Sequence, residues 1–278
     1  VAPAGPPREK TSEDAAMKWL LAIILVLGVT GEVQAKVVTK TVEYRLDGTV
    51  LKGYLAYDDL SRARRPGVLV VHEWWGLNDY AKKRAEQLAG LGYVALAADM
   101  YGEGKTTRDR EEAARWAGAL MGTPQLRARA QAALQALAAN PLVSPGKLAA
   151  IGFCFGGTTV LELAYSDADL AGVVSFHGGL PLPQAADLKR IKASILVLHG
   201  ADDPHTPPAK VAAWEDAMRA AGPDWQLVLF GGAVHTFTNP AAGADKSTGS
   251  AYDARAERRS WRYMRDFFQE IFGVKGRD

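Results

Sequence analysis

The chain has a single cysteine, Cys154, and it stands in Ile151-Gly152-Phe153-Cys154-Phe155-Gly156-Gly157. An apolar run, Lys147 to Ile151, leads into this heptapeptide, and a helix-like apolar run, Thr158 to Tyr165, leads out of it. Strand, glycine-crowded turn and helix in that order fit G-x-C-x-G, the cysteine form of a nucleophile elbow. The glycines are required where the turn is too sharp for a Cβ. A thiol at the start of a helix lies in partial positive charge, which favours the nucleophilic thiolate. The competing reading is a buried structural cysteine beside a helix-packing glycine pair, because free cysteine is among the most buried residue types.

A nucleophilic thiol needs a base, and the base needs an acid to orient it. The apolar run Ser194 to His199 ends in Gly200-Ala201-Asp202-Asp203-Pro204, and the run Trp225 to Phe230 ends in Gly231-Gly232-Ala233-Val234-His235. Asp202 or Asp203 can serve as the acid and His235 as the base. The chain order is then nucleophile, acid, base, as in the α/β-hydrolase arrangement. Glu73 follows a buried-type apolar run and precedes Trp74-Trp75, an odd place for a solvated glutamate; surface exposure or pairing with Lys82 is the plain alternative. His177 and His199 end strands and are expected to cap backbone groups or line a pocket. His205 is expected on a surface loop, and His72 is expected to point away from Glu73 by strand alternation.

The elements that must position these groups read as an alternation of strands and helices. Lys36 to Leu46 and Thr49 to Tyr57 alternate apolar and polar residues around Asp47-Gly48, a hairpin signal. Gly67 to His72, Tyr93 to Ala98, Lys147 to Phe153, Ala171 to Phe176, Ser194 to His199 and Trp225 to Phe230 read as buried parallel strands. Helices are expected over Asn78 to Leu91, with Asn78 as N-cap, and over Arg108 to Met121, Gln125 to Ala139, Pro208 to Ala221 and Tyr252 to Phe272. This predicts a mostly parallel sheet with helices on both faces and an antiparallel N-terminal hairpin, an α/β-hydrolase fold. In such sheets ligands sit at the carboxyl ends of the strands. His72, Glu73, Asp99, Cys154, His177, Asp203 and His235 all fall there, so they are expected to meet on one rim.

Composition excludes several classes. Hydrophobic residues at 48% and charged residues at 23% allow a normal core. A net charge of +2 without a basic block gives no case for nucleic acid. One cysteine rules out an intramolecular disulfide, a cysteine-based zinc site and a Cys-x-x-Cys redox centre. Five scattered histidines give no helical metal pair, and no cofactor is expected.

The first 35 residues read as separate from the fold. Val1 to Ala16 is rich in Pro, Ala, Gly and charge and shows no periodicity. Met17-Lys18, the apolar run Trp19 to Val29 and the small-residue site Val33-Gln34-Ala35 read as a secretory signal peptide. Translation is expected to start at Met17 and cleavage to follow Ala35. That leaves Lys36 to Asp278 as one exported domain, periplasmic or secreted. The apolar run is shorter than the ~20 residues a spanning helix requires, so no stable membrane insertion is expected after cleavage. Retention of the segment as a tether is the alternative.

At the level of motifs the chain resembles the dienelactone hydrolase family. The resemblance covers nearly all of residues 36–278 and is carried by the elbow, by His72-Glu73-Trp74-Trp75-Gly76-Leu77-Asn78 and by Ala98-Asp99-Met100-Tyr101-Gly102. Gly200-Ala201-Asp202-Asp203-Pro204 with Pro207, and Gly232-Ala233-Val234-His235-Thr236-Phe237, complete it. The resemblance implies a triad of Cys154, Asp203 and His235, the spacing to Pro207 favouring Asp203 over Asp202. It implies that Glu73 contacts the resting cysteine and controls when it ionises. It also implies an oxyanion hole of the Phe155 and Trp74 N–H groups. Family members acting on acidic dienelactone are expected to carry one arginine soon after the Asp-x-Tyr segment and another shortly after the catalytic histidine. Here those regions read Gly102-Glu103-Gly104 and Thr236 to Ala241, the latter with Asn239 and no arginine. Lys105 or Arg108 is not expected to compensate. Trp74, Trp75, Tyr101 and Phe237 suggest a pocket for apolar or aromatic groups, with core packing a competing use for about half of them.

The expected activity is hydrolysis of a small carboxylic ester or lactone through a thioester acyl-enzyme. A true carboxymethylenebutenolidase acting on dienelactone is the enzymatic alternative. A non-catalytic small-ligand-binding member of the fold would be expected to lack a triad residue.

Overall fold

Asp47 and Gly48 both take positive φ, 47° and 79°, and the two-residue turn they make joins β1 (Val37–Leu46) to β2 (Thr49–Asp58) with Leu46 opposite Thr49. Positive φ at both centres is what a primed hairpin turn demands, and Asp-Gly accepts it. The computed structural model describes residues 1–5 and 36–273, so the signal-peptide segment lies outside the described residues.

Six further strands follow: β3 (Arg65–Val71), β4 (Val94–Ala97), β5 (Val143–Phe153), β6 (Gly172–Phe176), β7 (Ser194–Gly200) and β8 (Trp225–Phe230). They form one sheet in the order β1-β2-β4-β3-β5-β6-β7-β8. β1 and β2 pair antiparallel, β2 meets β4 antiparallel, and every later pairing is parallel. The α-helices among the described residues are α1 (Asp79–Gly90), α2 (Arg110–Gly118), α3 (Pro124–Ala138), α4 (Phe155–Tyr165), α5 (Pro208–Ala221) and α6 (Ala254–Phe272). None is long and apolar enough to cross a membrane.

The central strands are buried on both faces, which is why they read as continuous apolar runs. On β3, Val68 and Val70 pack into the layer of Ala81 and Leu88 of α1 and Met264 and Phe268 of α6. Leu69 and Val71 face the opposite layer, with Leu126 and Leu134 of α3, Val160 and Leu161 of α4, and Trp214 of α5.

Boundaries differ from expectation where local caps decide. α2 begins at Arg110 because Asp109 accepts from Glu112 N, and α6 begins at Ala254 because Asp253 accepts from Arg255 N and Ala256 N. β5 starts at Val143, ahead of Pro145-Gly146, because the β3 pairing jumps register between Arg65 and Gly67. The consequence for function is geometric. β3 delivers Glu73, β5 Cys154, β7 Asp203 and β8 His235, each just beyond a carboxyl end of the same sheet.

Candidate active site

The turn at Cys154 leaves no room for side chains around it. A Cβ on Gly152 would lie 2.0 Å from Gly156 O, and one on Gly156 would lie 2.1 Å from Val71 O. Cys154 itself sits at φ 54°, ψ −114°, as N-cap of α4. Such a backbone costs on the order of 1–3 kcal/mol and persists only when its surroundings over-determine it. Here the Cys154 N–H donates to Phe176 O at 3.0 Å and also points at His177 Nδ1, 3.2 Å away.

His235 lies between the thiol and a carboxylate. Its Nε2 is 3.0 Å from Cys154 Sγ, and its Nδ1 is 2.8 Å from Asp203 Oδ2. Burial alone would lower the imidazole, but the Cys154 sulfur and the Asp203 carboxylate override it and raise the group to about 10. Burial likewise works against Asp203, yet the His235 hydrogen bond and charge, with the His205 N–H at 2.8 Å, hold the carboxyl below its ordinary range. Asp203 is 3% exposed and bonded to His235 whereas Asp202 is exposed, which agrees with the preference for Asp203 that the resemblance implied.

Glu73 is buried, and its partner is Asn239, which donates from Nδ2 to Oε2 at 2.6 Å. Oε1 has no hydrogen-bond partner among the described residues. Burial pushes this carboxyl up to about 7, against the Asn239 hydrogen bond and the charges of His235 and Arg84. Lys82 pairs with Asp79 instead, at 3.7 Å. The thiol's hydrogen bond is to His235, and no hydrogen bond joins Glu73 to Cys154 among the described residues, although both line the same cavity. Phe155 opens α4, and neither its N–H nor that of Trp74 makes a loop or turn hydrogen bond among the described residues.

Cys154, His235 and Glu73 open into a cavity of about 940 Å³ that Trp74 and Trp75 also line. The expectation for the other two aromatics needs correction. Tyr101 is buried behind the wall, where its hydroxyl donates to Trp74 O at 2.9 Å, and Phe237 is fully buried against His177 and Phe230. They support the pocket from within the core. The view of the cations changes too: Arg108 and Arg110 line the cavity, exposed and without a carboxylate partner among the described residues. His205 is exposed as expected, but it lines the cavity and stands edge-on to His235 with ring centroids 5.0 Å apart.

The remaining rim residues organise backbone. Asp99 accepts from the N–H groups of Lys52, Tyr101, Gly102 and Gly104, and His72 Nε2 accepts from Met100 N. His199 Nε2 meets Thr206 O at 3.1 Å. Sequence reading missed Asn239 as the holder of Glu73, His205 as a neighbour of the base, and Arg110. Only Asn239 left a signal, as the residue standing where an arginine was expected.

The dienelactone hydrolase family profile matches residues 51–272. The chain belongs to the dienelactone hydrolase family. A solved dienelactone hydrolase-like promiscuous phosphotriesterase from metagenomic libraries is 46% identical, with a TM-score of 0.81 over 84% of this chain and 98% of that one. Protein usf of Aquifex pyrophilus is 27% identical over 234 residues, covering 82% of this chain and 97% of its own. The esterase Est2 of Thermogutta terrifontis, 21% identical with a TM-score of 0.59 over 84% of this chain and 92% of that one, shares the fold. This member of the family is therefore a hydrolase of the esterase type, with the mostly parallel α/β-hydrolase sheet described above.

Proposed function

We propose that the protein hydrolyses small carboxylic esters or lactones through a covalent thioester on Cys154. The observation that carries this reading is the unbroken run Asp203–His235–Cys154, with contacts of 2.8 and 3.0 Å, opening into the cavity. The thiolate attacks the carbonyl carbon, and the carbonyl π pair moves to oxygen. That oxyanion accepts from the Phe155 and Trp74 N–H groups, each such donor contributing on the order of 3 kcal/mol in the transition state. Collapse expels the alkoxide, which takes the proton from His235 Nε2. A water then gives its proton to the neutral imidazole and attacks the thioester carbonyl. Collapse releases the acid and returns thiolate and imidazolium, with Asp203 holding the ring throughout.

Glu73 acts as the local charge control. Neutral, it leaves the thiolate–imidazolium pair undisturbed; ionised, it opposes the thiolate and favours the imidazolium. The Arg108 and Arg110 rim supports acceptance of substrates with an anionic end, alongside the neutral esters that Trp74 and Trp75 suit. Export with cleavage after Ala35 belongs to the same proposal; the amino-terminal sequence of the secreted or periplasmic protein, Lys36 onward, tests it.

A second activity is supported by the 46% identical promiscuous phosphotriesterase. The same thiolate would attack a neutral phosphotriester at phosphorus while the same two N–H groups hold the phosphoryl oxygen. The P–O bond breaks, and the leaving alkoxide or aryloxide takes the proton from His235 Nε2. A water activated by the neutral imidazole then cleaves the S–P bond to release the phosphodiester and return the thiolate. Hydrolysis of p-nitrophenyl acetate by wild type and by Cys154→Ala tests the primary reading: activity is expected in the first and not in the second. Equal rates, or none in either, would sink it.

A further inference from the structure

A second histidine lies directly behind the nucleophile, and the chemistry above does not use it. His177 is fully buried at the end of β6, with φ 41°. A backbone N–H can only donate, so His177 Nδ1 must be the acceptor for Cys154 N, and the ring proton is on Nε2. That proton points at Thr238 Oγ1, 2.7 Å away, and the same oxygen is 2.6 Å from the Tyr80 hydroxyl. Burial and the neighbouring His235 hold the His177 ring well below its ordinary range, so the neutral tautomer persists.

Thr238 lies three residues beyond His235. Its carbonyl accepts from Arg84 Nη2 at 2.9 Å, and Arg84 is in turn held by Glu257 at 3.0 Å. The loop bearing the base is thus tied to the elbow bearing the thiol by a side-chain path that does not pass through the triad. The path matters because both ends are strained: Cys154 has φ 54° and Thr236, next to His235, has φ 60°. Backbone bonds hold each segment to its own neighbours, Cys154 N–H to Phe176 O and His235 N–H to Gly249 O, and the His177–Thr238 pair links the two segments to each other.

We infer that His177 and Thr238 are positioning residues that hold the Cys154 elbow in register with the His235 loop. This rests on Cys154 being the nucleophile. Loss of the Thr238 hydroxyl strands the His177 Nε2–H and removes a partner of Tyr80 in a buried site, where an unmade hydrogen bond is costly.

The test compares Thr238→Val, which keeps the shape, with Thr238→Ser, which keeps the hydroxyl. Folding is checked by circular dichroism, with Cys154→Ala run in parallel. In Thr238→Val, kcat for p-nitrophenyl acetate is expected to fall about tenfold with KM within about twofold, the size of one lost buried hydrogen bond in the transition state. Alkylation of Cys154 by iodoacetamide is expected to slow with it, and the single cysteine makes that signal unambiguous. Thr238→Ser is expected to keep kcat within about twofold of wild type. A folded Thr238→Val with wild-type kcat and alkylation rate overturns the inference, as does a Thr238→Ser as slow as Thr238→Val. Should Thr238→Val not fold, His177→Asn decides. Asparagine tolerates positive φ and retains an acceptor for Cys154 N, but cuts the link to Thr238. The same loss of kcat there supports the inference, and wild-type kcat overturns it. Hydrolysis surviving in Cys154→Ala would overturn the nucleophile assignment itself, whereas an inactive Cys154→Ala beside an unchanged Thr238→Val would reject the positioning role alone.

Discussion

Asn239 donates to one oxygen of the Glu73 carboxyl at 2.6 Å, and the other oxygen of that buried group has no hydrogen-bond partner among the described residues. The folded protein therefore prefers this group protonated, and its pKa is raised from 4.5 to about 7. A raised pKa contributes stability that is fully present below about 4.5 and is lost as pH rises through about 7. Glu73→Gln removes that loss. Thermal unfolding should show the variant close to wild type near pH 5 and more stable near pH 8, by at most about 3 kcal/mol. A stability difference that does not change between those pH values would contradict the burial argument.

With His235 raised to about 10, the imidazolium that protonates the leaving alkoxide is lost only in strongly alkaline solution. The alkaline limb of kcat/KM should lie near pH 10 in wild type and move to lower pH in Asp203→Asn. The same variant should lose kcat by on the order of 10³, because the tautomer and orientation of the ring are no longer fixed. A pH–rate profile of Asp203→Asn that overlays wild type would show that the carboxylate has no hold on His235.

The elbow makes a stability prediction with an internal control. Gly156→Ala drives a Cβ to 2.1 Å from Val71 O, a backbone atom that cannot swing away, whereas Gly231→Ala meets nothing within 4 Å. The first should cost about 3 kcal/mol or more and the second less than about 0.5 kcal/mol, read from urea unfolding.

The rim arginines are exposed, so their effect should be modest and screened. Arg108→Ala with Arg110→Ala should raise KM for an ester with a carboxylate end by about twofold to fivefold at low salt, and leave a neutral ester unchanged. The difference should shrink toward nothing at about 1 M salt, where the screening length is only a few ångströms.

Much of this site was legible in the sequence because its parts are punctuated by backbone rules. Glycines that no Cβ could replace marked the turn at Cys154, and strand ends marked Asp203 and His235. What sequence did not disclose depends on contacts between distant segments. Asn239 meets Glu73 across 166 positions, and Thr238 meets His177 across 61. Local pattern carries no record of such pairs. Tyr101 and Phe237 were misread for a related reason: an aromatic at a strand end looks alike whether it faces a cavity or the core, and the packing of neighbours decides. The preference for Asp203 over Asp202 came from the resemblance, through the spacing to Pro207, since by local pattern alone adjacent loop residues differ only in the direction their side chains take.

The central claim is that Cys154 carries the acyl group. Acid quenching of the enzyme during turnover of p-nitrophenyl acetate, followed by peptide mass spectrometry, tests it most directly. One acetyl group is expected on the peptide containing Cys154, and none on the corresponding peptide of Cys154→Ala. An acetyl group on another residue, or turnover by Cys154→Ala at the wild-type rate, would contradict it.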